Sequence, residues 1–470
     1  MNASGVILTT EIIYVITALF IVFVVISGNR NPIKTMSWVL LLLFVPIVGI
    51  IVYYFFGQDT RKLRVISRKR YRLLKKRSYE PLIIQSKENI LRPEYAPLVK
   101  LLNNNNDSSL MQGSKIDFFT SGEKKFETLI EDLENAKHHI HFQYYIFEND
   151  EIGGKIKSIL MRKASEGVEV RVLYDDVANW KKKRRFYGEM KNAGVEITAF
   201  LQVRFPFFTR KVNYRNHRKI VVIDGKIGYV GGMNVADRYL KDTWKDMHLR
   251  IVGRGVLALQ SAFLIDWVSS GKPLLSEKVY FPETPVITDN ILQIVTGGPI
   301  NPWRTLLQAT LHILLNAKKY VYIQTPYFLP TDSLLQILQS AALSGVDVRL
   351  MVPHKADVHF VGIAARSYFA DIMYAGVKIY LYNPAFLHAK MMVVDDFLTV
   401  IGSANMDFRS FEHNFEVNAY LYDKEIAEKM KLLFLEDQQN CKQITLKKWK
   451  KRSRIEKFKE SVTRVFSPLL

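Results

Sequence analysis

His217-Arg218-Lys219-Ile220-Val221-Val222-Ile223-Asp224 and His388-Ala389-Lys390-Met391-Met392-Val393-Val394-Asp395 are one pattern written twice, H-x-K-x4-D. Each copy runs on into small residues and an asparagine, Gly231-Gly232-Met233-Asn234 in the first and Gly402-Ser403-Ala404-Asn405 in the second. The asparagine stands at the same distance from the histidine in both. A single match to so short a pattern carries little weight. Two matches with equal downstream spacing carry a great deal.

The duplication extends outward from these motifs. Asn135-Ala136-Lys137 with Ile140-His141-Phe142-Gln143-Tyr144-Tyr145-Ile146-Phe147 repeats as Asn316-Ala317-Lys318 with Val321-Tyr322-Ile323-Gln324-Thr325-Pro326-Tyr327-Phe328. Glu166-Gly167-Val168-Glu169-Val170-Arg171-Val172 repeats as Ser344-Gly345-Val346-Asp347-Val348-Arg349-Leu350. In each the spacing predicts a helix stopped at Gly and followed by a β-branched strand. Ala193-Gly194-Val195-Glu196-Ile197 returns as Ala375-Gly376-Val377-Lys378-Ile379. Helices alternating with short apolar strands predict an α/β fold with sheets covered by helices. The internal repeat predicts two similar lobes, each a mixed β-sheet flanked by helices, packed about a pseudo-two-fold axis.

On a strand, residues i and i+2 project from one face, so His217 with Lys219, and His388 with Lys390, aim at one spot. That pair suits a phosphate: the ammonium binds its oxygens and the imidazole supplies a nucleophile or a proton. Two such pairs meeting at a dyad set one imidazole on each side of a phosphorus, as in-line displacement with a general acid requires. Asn234 and Asn405, after small residues that allow close backbone approach, are candidate phosphate donors. Asp224 and Asp395 enter the catalytic set as members of the motif. Their odd spacing from the histidines turns them to the other face, and Asp224-Gly225 is a hairpin-turn signal, so a structural role competes.

These residues resemble the phospholipase D superfamily, and within it the bacterial cardiolipin synthases. The resemblance covers nearly the whole chain. It includes Pro46-Ile47-Val48-Gly49, Tyr53-Tyr54-Phe55-Phe56-Gly57, Gln324-Thr325-Pro326-Tyr327-Phe328, Asn405-Met406-Asp407-Phe408-Arg409-Ser410 and Asn414-Phe415-Glu416-Val417-Asn418. It implies phospholipase D-like lobes and transfer of a phosphatidyl group between two phosphatidylglycerols through a phosphatidyl-histidine. In that scheme His217 is the nucleophile and His388 the acid and base, although the residues themselves leave the order of the two open. Lys219, Lys390, Asn234 and Asn405 hold the phosphate. Asp246 and Glu416 orient the histidines, each that of the opposite lobe. No cofactor and no metal is expected: Lys holds the phosphate, and no H-E-x-x-H or cysteine pattern is present.

The formal net charge of +21 points to anionic partners. Residues 6–27 and 36–57 are apolar runs long enough to cross a hydrocarbon core of about 20 residues, with a short turn at Gly28–Pro32. They predict a transmembrane helical hairpin, kinked at Pro46 and Gly49. A cleaved signal peptide is the alternative, but no basic residues precede the first run. Basic residues from Arg61 to Arg77 follow the hairpin and are expected to lie against anionic headgroups. By the positive-inside rule both the amino terminus and the lobes are cytoplasmic, at the cell membrane. The segment Thr445–Val465, with Trp449, Ile455, Phe458 and Val462 among its cations, reads as an amphipathic helix on the same surface. The expected division is 1–60 for two transmembrane helices, 61–112 for a basic linker, 113–280 and 281–440 for the lobes, and 441–470 for a basic tail. Cys441 is the single cysteine, which excludes an internal disulfide.

The expected partners are phosphatidylglycerol, other anionic phospholipids and the membrane, not nucleic acid. Four rival functions use the same features: a membrane-bound phospholipase D that hydrolyses lipid, a related phosphatidyltransferase with another alcohol acceptor, a nuclease of the superfamily, and a non-catalytic binder of anionic lipid. The two apolar runs oppose the nuclease, and the completeness of both His-Lys sets opposes the binder.

Overall fold

Alternating β-branched runs between helices give the chain two mixed sheets. The computed structural model describes residues 3–27, 32–45, 49–50, 52–53, 66–79, 91–180, 185–202 and 214–467. The chain divides into two units, Met1–Lys62 with Val203–Asn213, and Leu63–Gln202 with Tyr214–Leu470.

In the first unit a helix at Ala3–Ser27 and another at Pro32–Phe44 pack through Val25, Leu42 and Tyr53, with the Trp38 ring edge-on to Tyr53 at 5.3 Å. Leu19, Phe20 and Phe23 face outward. Among the described residues no helix is long and apolar enough to cross a membrane. Of the second apolar run, the described helix stops at Phe44; the expected turn residues 28–31 and the kink at Pro46 lie outside the described residues.

In the second unit the strands are β1 (Met111–Gln112), β2 (Lys115–Phe119), β3 (His139–Tyr144), β4 (Glu169–Asp175), β5 (Glu196–Phe200), β6 (Arg215–Asn216), β7 (Ile220–Ile223), β8 (Ile227–Gly231), β9 (Trp244–Lys245) and β10 (His248–Val252). They continue as β11 (Ile291–Gly297), β12 (Tyr320–Gln324), β13 (Phe328–Leu329), β14 (Asp347–Pro353), β15 (Lys378–Tyr382), β16 (Phe386–Leu387), β17 (Met391–Val394), β18 (Leu398–Gly402), β19 (Met406–Asp407), β20 (Asn414–Tyr422) and β21 (Cys441–Ile444). One sheet has the order β2-β10-β8-β7-β3-β4-β5; the other contains β11-β20-β18-β17-β12-β14-β15, extended by β1 and β21 at its edges. The two orders match strand for strand. In each, three parallel strands (β3, β4, β5 and β12, β14, β15) adjoin an antiparallel run.

The sheets share a core. Val230 and Leu249 from one and Ile401 and Val417 from the other lie in it with the helices Val256–Ser269 and Lys424–Gln439. Val256–Ser269 is apolar on nearly every side, as a helix enclosed on all sides must be.

Two basic segments differ from expectation. In the helix Arg68–Tyr79, Leu74 joins the shared core, and Lys75 is buried with its ammonium 3.0 Å from the Asn106 carbonyl. The carboxy-terminal segment is two helices, Leu446–Lys450 and Arg454–Val465, separated where Ser453 starts the second with a reciprocal Ser453–Glu456 cap. The break sends Trp449 into the core against Phe369, while Ile455, Phe458 and Val462 stay exposed.

Candidate active site

The histidines are set by strand pairing between lobes. β6 runs parallel to the start of β20, with Arg215 opposite Asn414 and Asn216 opposite Phe415. One residue on, His217 meets Glu416, and the His217 N–H donates to the Phe415 carbonyl at 2.9 Å. β16 runs parallel to β9 in the same way, Phe386 opposite Trp244 and Leu387 opposite Lys245, which brings His388 to Asp246. The His-Lys pairs therefore lie in the extended stretches before β7 and β17, not within those strands as the alternation predicts. Each stretch leaves its own sheet to pair with the other lobe.

The His217 Nδ1 lies 3.0 Å from both Glu416 oxygens and 3.1 Å from the Ser403 carbonyl. The His388 Nδ1 lies 2.6 Å from Asp246 Oδ2. Only acceptors surround the first, and the shortest contact of the second is to a carboxylate, so the network assigns the proton to Nδ1 in both and leaves Nε2 as the working nitrogen. Lys219 and Lys390 are buried, and each ammonium donates to the carbonyl of its own histidine, Lys219 at 2.6 Å. The Lys390 ammonium is also 3.0 Å from the His388 Nδ1, a charge contact once that nitrogen holds its proton.

Burial and charge set the protonation states. Burial lowers Lys219 to about 7 and Lys390 to about 8. Burial, then the Lys390 ammonium, lowers His388 to about 3 against the pull of Asp246. Burial, opposed by Glu416, also lowers His217. Lys390 acts on His217 and Lys219 acts on His388, so the two pairs share one electrostatic centre. Burial pushes Glu416 up, but His217, Lys219 and Ser403 together outweigh it and hold the carboxyl below its usual range.

The asparagines connect to the pairs through one intervening side chain, Asn234 through Tyr239, whose ring lies 6.0 Å from His388, and Asn405 through Ser410, which donates to Glu416. Asn234 receives the Ile146 N–H and donates to the Tyr239 hydroxyl at 2.8 Å. Asn405 donates to Asp407 at 3.0 Å, and its side-chain oxygen is buried without a hydrogen-bond partner. Tyr145 stands against His217 at 4.8 Å between ring centres, and Trp244 against His388 at 5.5 Å.

The motif aspartates are elsewhere, which corrects their place in the catalytic set. Asp224 accepts the backbone N–H groups of Lys137, His138 and His139 at 2.7–2.9 Å. Asp395 accepts those of Lys318, Lys319 and Tyr320 at 2.6–3.0 Å. Both sit at positive φ, 53° and 51°, in the three-residue loops 224–226 and 395–397 that join β7 to β8 and β17 to β18, where Gly225 and Asp396 also have positive φ. The Lys226 N–H donates to the Ile223 carbonyl at 3.0 Å and the Phe397 N–H to the Val394 carbonyl at 3.2 Å, closing tight turns over these two positive-φ residues and aiming the carboxylates at the entries to β3 and β12.

Several groups were not singled out from the sequence. Ser403, Ser410 and Asn414 all donate to the Glu416 carboxylate. Arg218, in the open position of the motif, pairs with buried Asp266 at 2.6 Å and donates to the Glu416 carbonyl at 3.0 Å, so it ties the lobes together. Gln143 donates to Asp266 at 2.7 Å and its repeat partner Gln324 to Asp437 at 2.8 Å, which the alignment of the halves could have flagged. Among the described residues no three His, Cys, Asp or Glu side chains gather to hold a metal ion.

A family model described as "Cardiolipin synthase, PLD-like domain" matches residues 129–265 and 310–438, and one described as "Phospholipase_D-nuclease N-terminal" matches residues 12–58. A cardiolipin synthase of Geobacillus sp. (strain WCH70) is 41% identical over 466 residues, 97% of this chain and 92% of that one. A cardiolipin synthase of Listeria monocytogenes serotype 4a (strain HCC23) is 38% identical over 475 residues, 98% of each. Among solved structures, the phosphatidylserine synthase of Haemophilus influenzae Rd KW20 superposes with a TM-score of 0.59 at 17% identity, over 79% of this chain and 96% of that chain, a likeness of fold.

Proposed function

The chain belongs to the family of phospholipase D-like cardiolipin synthases, and from that premise we propose how it acts. It is a phosphatidyltransferase that moves a phosphatidyl group from one phosphatidylglycerol to another, giving cardiolipin and glycerol.

In the first step the His217 Nε2 lone pair forms a bond to phosphorus. The bond to the glycerol oxygen breaks, and that oxygen takes a proton from the His388 Nε2. In the second step His388 takes the proton from the glycerol hydroxyl of a second phosphatidylglycerol. The oxygen attacks phosphorus, and the phosphorus–nitrogen bond breaks. Lys219, Lys390, Asn234 and Asn405 hold the phosphate oxygens. An incoming phosphodiester anion offsets the repulsion of Lys390, the second cause after burial, and so raises the affinity of His388 for its proton. The observation that carries this reading is the crossed pair of Nδ1 contacts, His217 to Glu416 and His388 to Asp246, which leaves two Nε2 atoms available within one charged centre.

The apolar runs at 6–27 and 36–57 anchor the chain in the cell membrane as a hairpin, with the lobes on the cytoplasmic side, in the five-part division drawn from the sequence. Water at about 55 M competes for a phosphoryl-enzyme, so transfer needs a dry site and a high local concentration of acceptor lipid, which an anchor supplies. The test is product analysis of the purified full chain with phosphatidylglycerol. Cardiolipin with one glycerol released per turnover supports transfer; phosphatidic acid alone would show a hydrolase.

A further inference from the structure

The helix Arg454–Val465 is mounted the wrong way round for a helix facing water. Its buried face is polar. Glu460 is enclosed and accepts from Arg366 at 3.2 Å and from Arg452. Arg464 reaches Asp371 at 2.9 Å. Arg452 in turn stacks on buried Trp449 at 3.5 Å. These contacts fix the helix to the second lobe. Its outward face carries Ile455, Phe458, Val462 and Val465, at spacings of three and four, and Phe466 follows; each is between 42% and 75% exposed. The stripe continues onto the helix His359–Arg366 and the residue before it through exposed Phe360 and Val358, where the Phe360 ring meets Phe466 at 6.0 Å.

Charge frames this stripe. At 100° per residue Arg454 and Lys459 fall on its two sides, and Glu460 falls opposite. Among the described residues Lys355, Arg454 and Lys459 form no ion pair. Lys355, Lys459 and Arg366, with His354, His359 and the carboxylates Glu456 and Glu460, line a hollow of about 540 Å³ beside the patch, where Glu460 is already paired with Arg366. Phe328 forms part of its wall, and Phe328 pairs in β13 with Met406, the residue after Asn405. An apolar stripe bordered by unpaired cations is complementary to one surface above others, acyl chains beneath anionic headgroups.

We propose that the helix Arg454–Val465, with Val358 and Phe360, is a bilayer-docking surface for anionic phospholipid, separate from the amino-terminal apolar runs. It seats the second lobe on the membrane. The placement of this surface rests on geometry alone; its benefit to turnover rests on the phosphatidyl-transfer reading.

The test uses the full chain with Cys441→Ser and Phe458→Cys, spin-labelled at position 458, and a control label at Leu432→Cys, an exposed site on the helix Lys424–Gln439. In phosphatidylglycerol vesicles the label at 458 is expected to gain collisions with oxygen and lose them with a water-soluble nickel complex, more strongly than in phosphatidylcholine vesicles. The control label stays aqueous. A label at 458 that remains aqueous in phosphatidylglycerol, or is shielded from both probes without lipid as in contact with a second copy, overturns the proposal. A second readout is the Ile455→Ser, Phe458→Ser, Val465→Ser chain, in which only exposed positions change. Turnover of vesicle phosphatidylglycerol is expected to fall about tenfold, with turnover of a short-chain soluble phosphatidylglycerol and the melting temperature unchanged. Parental rates on vesicles overturn the docking role. Absence of any transfer by the parent on the soluble lipid counts against the transferase reading and leaves the label result to stand by itself.

Discussion

Glu416 and Asp246 each occupy one nitrogen of an imidazole supplied by the other lobe, and the proposed chemistry depends on that occupation. Replacing either carboxylate by its amide lets the ring bind through the wrong tautomer. Glu416→Gln and Asp246→Asn are each expected to lower kcat by about 10²-fold or more with little change in KM, measured by cardiolipin formation under saturating lipid. Rates within twofold of the parent would remove the orienting role. The lysines set the pH dependence. On the proposed mechanism they bind phosphate as cations, and in the empty site burial lowers Lys219 to about 7 and Lys390 to about 8. As pH rises through that range the ammonium form is lost, so kcat/KM falls. In kcat the alkaline limb moves to higher pH, because bound phosphate favours the charged form. A kcat/KM profile flat from pH 6 to 9 would count against phosphate binding by these lysines.

The hairpin turns after β7 and β17 account for the aspartates of the motif. Asp224 and Asp395 each satisfy three backbone N–H groups at the start of a central strand. Asp224→Ala and Asp395→Ala should therefore destabilise the fold by about 1–3 kcal/mol in chemical denaturation, with kcat of the folded fraction near that of the parent. A large loss of kcat at unchanged stability would return them to the catalytic set. Odd spacing and the Asp224-Gly225 turn signal made this legible from sequence. The placement of His217 and His388 outside β7 and β17 is not legible from alternation, which describes a chain within its own sheet, whereas the stretches β6 and β16 pair across lobes. Arg218 escaped notice for a related reason. Its partner Asp266 lies far along the chain in a helix, and nothing local announces a buried ion pair. Arg218→Met leaves Asp266 with an uncompensated buried charge and is expected to cost about 3–5 kcal/mol, read in the same denaturation experiment.

Across the whole molecule the duplication was the most legible feature, because two copies of β3-to-β5 and β7-to-β8 patterning repeat residue by residue. The packing of the two sheets on a shared core follows from that pattern. The fate of the basic segments does not, since a run of cations with interspersed apolar residues fits a lobe or a lipid surface equally well until packing decides, as it does for Leu74 and Trp449. The lobe interior also holds neutral histidines. Burial lowers His139 to about 4 and takes His141 and His248 well below their usual value. Folded-state values below the unfolded 6.5 mean that the unfolded chain binds more protons. Stability is then complete above about pH 6.5 and is lost as pH falls toward 4, by about 1.4 kcal/mol per pH unit for each such histidine. Denaturation midpoints that stay flat between pH 7 and 5 would contradict this.

The joint action of the two imidazoles on one phosphodiester is tested most directly by rapid quenching of the full chain during turnover of phosphatidylglycerol labelled with 32P. Acid-labile, base-stable label is expected on His217, absent from the His217→Ala chain and formed far more slowly in His388→Ala, which lacks the acid for the departing glycerol. Cardiolipin formation with no histidine carrying label at any time, or label indifferent to His217→Ala, would contradict it.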